Sequence, residues 1–246
     1  MLKKTLIVAA LASTFAMPAF AEDAAPLSFN ASLTTNYLYR GISQTNAKPA
    51  LQGGVDYAFS NGAYIGAWAS TISWLKDAGV ATSAPLEIDT YAGYRGAINK
   101  DVSYDVGFLR YNYPGSYVAG ATKGDTNEIY GAVSYNIVTA KLSYSLGDLF
   151  GVPDAKGSTY FELNANYPLG NTGVTLGGHY GKQTYSGTVV DSAATYSDYK
   201  LSASKDFSGY TLSAALGGTN AGAFYTNPQG KELGKTTVVL SVSRTF

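Results

Sequence analysis

Apolar and polar positions alternate nearly one for one along most of this 246-residue chain. In residues 159–167, Thr159, Phe161, Leu163, Ala165 and Tyr167 fall on one face. Tyr160, Glu162, Asn164 and Asn166 fall on the other. A period of two is the signature of a β-strand with one face in an apolar medium and one in water. The same pattern predicts strands over 27–37, 51–59, 64–74, 86–94, 102–108, 126–135, 140–146, 174–180, 199–203, 210–216 and 235–246. With 159–167 these make twelve, several of them near the ~9–11 residues that a tilted membrane strand needs.

The lengths of the connections carry a second signal. Residues 60–62, 98–101, 136–139, 168–173 and 206–209 are short and rich in Asn, Asp and Gly, the chemistry of tight turns. Between them lie longer segments near 39–49, 75–85, 113–125, 148–158, 184–197 and 218–234. Short and long alternate without a break. Outer-membrane barrels sort their connections this way, with short periplasmic turns and long extracellular loops. The sequence therefore predicts an all-β fold: a single antiparallel up-and-down transmembrane β-barrel of about twelve strands, with ten to fourteen as the range. An even count puts both termini on the periplasmic side.

The N-terminus assigns the compartment. Two lysines, a short apolar run and small residues at Ala19 and Ala21 read as a cleaved signal peptide over residues 1–21. That run is too short to span a bilayer as a helix. The barrel domain is then expected over 22–246, in the cell outer membrane of a Gram-negative bacterium. The chain has no cysteine, although exported scaffolds commonly use disulfides. A closed hydrogen-bonded barrel needs none. Mean hydropathy is close to zero, −0.03, as expected when apolar and polar faces cancel. Acidic and basic residues number 17 each, and loss of Lys3 and Lys4 with the leader leaves a slight acidic excess. No basic surface points to nucleic acid.

The last strand, residues 238–246, places Val238, Leu240, Val242 and Phe246 on its apolar face. A terminal aromatic on such a strand resembles the signal read by barrel-assembly machinery, which makes Phe246 the candidate assembly residue. Arg244 departs from that signal, and at a strand end it can snorkel toward headgroups.

Strand parity directs Asp56, Glu87, Asp89, Arg95, Asp105, Glu128, Lys141, Glu162, His179 and Lys200 into the lumen. A lysine or arginine facing lipid at the midplane would cost ~2–4 kcal/mol, so inward placement is forced whatever the function. These residues can line a charged pore, or pair with one another and plug it; the sequence leaves both open. His179 is the single histidine. Gly178 and Tyr180 take the outward face, so His179 lacks the outward placement of a lipid-facing Ser–His–acid site. One histidine and no cysteine give no zinc set, and no cofactor is expected. Tyr37, Tyr57, Trp74, Tyr94, Tyr111, Tyr113, Tyr135, Tyr167 and Tyr210 fall toward strand ends, as interfacial girdles do. Leu109, Tyr111 and Tyr113 form an inward run that hints at a sugar-binding ladder. Asp148, Asp154, Asp191 and Asp198, in or beside long loops, match no calcium spacing and read as solvated charges.

Several phrases closely resemble TorF-type porins of proteobacteria. They are GISQTNAKPALQGGVDYAFSNGAYIGAWASTISW (41–74), LEIDTYAGYRG (86–96), SYDVGFLRYNYPG (103–115), TNEIYGAVSY (126–135), FELNANYPL (161–169), DYKLSASKDFSGYTL (198–212) and the closing LSVSRTF. The resemblance implies an outer-membrane barrel that conducts small solutes, and it carries no site residues. The expected function is passive diffusion of small polar solutes or ions. One alternative is a closed structural or adhesive barrel acting through its loops. A second is a barrel enzyme of the outer-membrane phospholipase kind. Expected partners are outer-membrane lipid, the assembly machinery with its periplasmic chaperones, and the solutes themselves.

Overall fold

Short polar turns fold each alternating segment back on the one before it. The computed structural model describes residues 26–187 and 191–246; the expected leader lies outside the described residues. The barrel strands are β1 (Leu27–Thr34), β2 (Ala50–Ala58), β3 (Ala63–Thr71) and β4 (Leu86–Ala97). Next come β5 (Val102–Asn112), β6 (Thr126–Tyr135), β7 (Val138–Ser145) and β8 (Thr159–Pro168). The last four are β9 (Val174–Thr184), β10 (Tyr196–Phe207), β11 (Tyr210–Thr219) and β12 (Thr237–Thr245). Each pairs antiparallel with the next, and β1 pairs with β12 to close the barrel. This is the twelve-stranded barrel expected from the pattern.

Turn chemistry explains the tight ends. Ser208 and Gly209 both take positive φ, 57° and 86°, the two-residue turn whose twist matches a hairpin. At the turn between β4 and β5, the Asn99 side-chain oxygen accepts from the backbone N–H groups of Asp101 and Val102. The seam closes through Phe246, whose N–H donates to the Phe29 carbonyl at 2.8 Å while Phe29 N–H donates back at 3.2 Å. Arg244 turns outward, donates to the Tyr210 hydroxyl at 2.8 Å and lies over the Tyr210 and Phe246 rings.

Exposure follows the alternation. Leu27, Phe29 and Leu33 of β1 are exposed, while Ser28, Asn30 and Ser32 between them are half-buried. Around the barrel the outward positions hold Leu51, Ile65, Phe108, Val133, Leu142, Leu163, Leu201, Leu212 and Leu240, all exposed. An apolar exterior this extensive is incompatible with water as the sole solvent. Tyr57, Tyr94, Tyr135, Tyr167 and Tyr210 are also exposed.

Two strand ends differ from the sequence reading. β1 stops at Thr34 and not at Tyr37, because the Thr34 hydroxyl donates to the Asn36 carbonyl and the chain turns into the barrel. β3 stops at Thr71, and Trp74 opens a short helix, Trp74–Asp77, in the following loop. Other strands run further than expected, β10 in both directions. Its extension carries Asp198 into the sheet, where it is buried. Asp198 is therefore not a solvated loop charge.

Candidate functional site

The six longer connections are L1 (35–49), L2 (72–85), L3 (113–125), L4 (146–158), L5 (185–195) and L6 (220–236). L1 holds a miniature hairpin, Leu38–Tyr39 paired with Ile42–Ser43. Its two-residue tip is Arg40 and Gly41, with φ of 46° and 78°. Glycine supplies the second left-handed position without strain, and a side chain there has no room. A Cβ on Gly41 would lie 2.5 Å from Thr219 Cγ2 and 2.7 Å from Asp198 Cβ.

That contact places the hairpin tip against the β10–β11 wall, inside the barrel. The rest of the hairpin reaches the opposite wall. The Tyr37 hydroxyl donates to Glu87 of β4 at 3.0 Å. The Tyr39 and Tyr111 hydroxyls are 2.6 Å apart. Arg40 spans to β6 and β9: its guanidinium donates to both Glu128 oxygens, at 2.8 and 3.0 Å, and to Gln183 Oε1 at 2.6 Å. Tyr160 lies 4.2 Å and Tyr39 4.9 Å from the guanidinium carbon, ring centre to carbon. Phe150 of L4 packs edge-on against Tyr39 and Tyr111 from above. The Arg40 and Glu128 side chains are 3% and 2% exposed, so the pair is desolvated. Burial works against the guanidinium charge; Glu128 outweighs it and holds the Arg40 pKa above its ordinary value.

The inward residues named from the sequence fall into four groups. Glu128 meets Arg40, as above. Glu162 lies 3.7 Å from Lys141 Nζ, and His179 lies between Asn164 at 2.7 Å and Asp198 at 2.8 Å. The Tyr160 hydroxyl donates to the other Asp198 oxygen at 2.9 Å, and Lys200 neighbours Glu162 and Asp198. Nearer the short turns, Tyr64 donates to Asp105 at 2.6 Å and touches the Tyr130 hydroxyl. There Tyr91 donates to Asp56 at 2.5 Å, and Arg95 lies over the Tyr64 ring. Glu87 and Asp89 form the fourth group, beside Tyr37 and Tyr113.

The wall is thus unequal. β2 to β9 and the loop-side end of β10 present tyrosines and charges, whereas the turn-side end of β10, β11, β12 and β1 present small side chains. Ser28, Asn30, Ser32, Ser202, Thr211, Ser213, Ser241 and Ser243 are half-buried and face inward. In the half of the lumen near the short turns these small polar side chains stay partly accessible. Toward the loops the space narrows at the buried Arg40 layer. Beyond it, a cavity of about 480 Å³ opens between L1 and L6, lined by Asn36, Ser43, Lys231 and Lys235.

Tyr37, Tyr111 and Tyr113 are buried in this layer and belong to no interfacial girdle. Sequence reasoning missed Arg40, Tyr39 and Gln183, gave Tyr160 no more than a polar face and took Asp198 for a loop charge. The one available signal was the Arg-Gly pair between two short apolar runs, which suits a two-residue turn. His179 has a phenol as its hydroxyl neighbour, and that phenol is donated to Asp198.

The profile of a family described as bacterial protein of unknown function (Gcw_chp) matches residues 19–246. No curated protein sequence matches the chain. Among solved structures, the barrel is similar to a NanC porin, with a TM-score of 0.53 at 10% identity, covering 89% of this chain and 98% of that one. It is also similar to a KdgM porin in complex with disordered oligogalacturonate, with a TM-score of 0.52 at 10% identity, 89% of this chain and 98% of that one. These likenesses carry the fold. None of them bears the TorF-type label.

Proposed function

The chain belongs to the Gcw_chp family, and we propose that it is a narrow outer-membrane porin for small polar solutes or ions. The carrying observation is the inner wall itself: half-buried Ser, Asn and Thr side chains face the lumen near the short turns, and a polar constriction around Arg40 lies toward the loops. The apolar exterior, the girdle tyrosines and the likeness to porin folds support an outer-membrane location. Selection in this reading is by size and by the charge of the constriction. No reaction is assigned. Desolvation of the Arg40–Glu128 pair favours a second reading, the closed barrel. Single-channel recording in planar bilayers separates the two. Small, steady conductance from the intact protein is expected, and silence at all voltages would leave the closed barrel.

Assembly is expected to depend on Phe246, which follows β12 and extends its seam with β1 through two backbone bonds to Phe29. Deleting it should slow insertion and leave protein in the periplasm. Heat-modifiable barrel at normal yield after the deletion would remove Phe246 from that role.

A further inference from the structure

We propose that Glu87 and Asp89 hold a hard cation of the Ca²⁺ class at the edge of the constriction. The two residues are two apart on β4 and point to the same side, each almost fully buried. Register sets Asp89 beside Trp68 of β3 and Tyr111 of β5. Glu87 Oε1 accepts from Tyr37, but Glu87 Oε2 and Asp89 Oδ1 are buried with no hydrogen-bond partner. Among the described residues neither carboxylate forms an ion pair, and the nearby Arg40 is committed to Glu128. Of the other inward acids, Asp56 and Asp105 accept from phenols as Glu87 does, while Glu128 meets Arg40, Glu162 meets Lys141 and Asp198 meets His179.

Two buried carboxylates whose oxygens lack donors must be neutralised, by a bound cation or by a shared proton. The surrounding donors are carboxylate and phenol oxygens, with neither thiol nor imidazole among them, which selects a hard ion. Two acids match a divalent charge. Calcium accepts irregular oxygen sets completed by water, whereas magnesium demands near-ideal octahedral geometry. With only two acidic ligands the affinity falls in the weak range of calcium sites, ~10⁻⁴–10⁻³ M.

The tyrosines supply the readout. Tyr37, Tyr111 and Tyr113 can sensitise the luminescence of Tb³⁺ bound in place of Ca²⁺. The folded full chain in detergent, stripped with chelator, is titrated with Tb³⁺ and back-titrated with Ca²⁺. Saturable tyrosine-sensitised emission, displaced by Ca²⁺, is expected from the parent and from the loop control Asp154→Asn. It should be lost in Glu87→Gln with Asp89→Asn. No sensitised emission from the parent, as when the pair shares a proton instead, overturns the site, and so does emission that survives the double substitution. Where the double variant fails to fold, Asp89→Asn alone replaces it, with Ca²⁺ binding expected to weaken about tenfold through loss of ligand charge; unchanged binding overturns the proposal. Binding is read at equilibrium, so a barrel that does not conduct leaves the result interpretable.

Discussion

Replacing Arg40 with alanine is expected to open the lumen and to destabilise the barrel at the same time. The guanidinium is the plug's anchor: it ties the L1 hairpin to Glu128 on β6 and Gln183 on β9. Without it, the hairpin tip loses its hold on that wall and the aromatic stack around Arg40 loses its centre. Single-channel conductance should rise several-fold over the parent. Stability should fall by roughly 3–5 kcal/mol, because Glu128 is left buried without a counter-charge. The pair Arg40→Met with Glu128→Leu separates the two effects. Apolar replacement of a buried ion pair is often neutral or stabilising, so this variant should recover most of the lost stability. Conductance and denaturant unfolding in lipid vesicles check both quantities. An Arg40→Ala barrel with parental conductance would show that L1 is not the constriction.

A charge placed on the outer face should cost about as much as one broken pair in the lumen. Leu142 lies midway along β7, exposed and flanked in register by Phe161 and Gly131. Leu142→Arg puts a cation where the bilayer midplane is expected, at a cost of ~2–4 kcal/mol. Ser202 faces inward between Gly177 and Ala215, where small neighbours leave room for a long side chain in contact with water. Ser202→Arg should change stability by no more than about 1 kcal/mol, within the usual range for a solvated substitution. Urea unfolding from vesicles compares the two. Equal costs, or a larger one for Ser202→Arg, would contradict the membrane orientation of the barrel wall.

The fold was legible because barrel strands are specified locally. Period-two alternation assigns each side chain a face, and the Ser208-Gly209 and Asn99 turns set where the chain reverses. Closure adds little new information, since each strand pairs with its sequence neighbour and only the β1–β12 seam is distant. Strand ends were less legible. Whether Tyr37 continues β1 depends on what awaits it inside the barrel, here Glu87, fifty positions further on.

Parity placed the acids of β4, β6 and β8 on one face of their strands, but their partners lay beyond its reach. Arg40 reads as one more polar loop residue until the barrel closes around it; its partners Glu128 and Gln183 lie 88 and 143 positions away. The same holds for Asp198, whose neighbours His179 and Tyr160 are on the two preceding strands. The sequence by itself determined that there is an antiparallel barrel of about twelve strands, because that follows from backbone periodicity and turn chemistry. Only the tertiary structure decided that L1 folds inward, that Arg40 bridges the lumen and that Glu87 and Asp89 are left without a counter-charge. Those outcomes depend on side chains meeting across the enclosed space, and that space exists only once the first and last strands have joined.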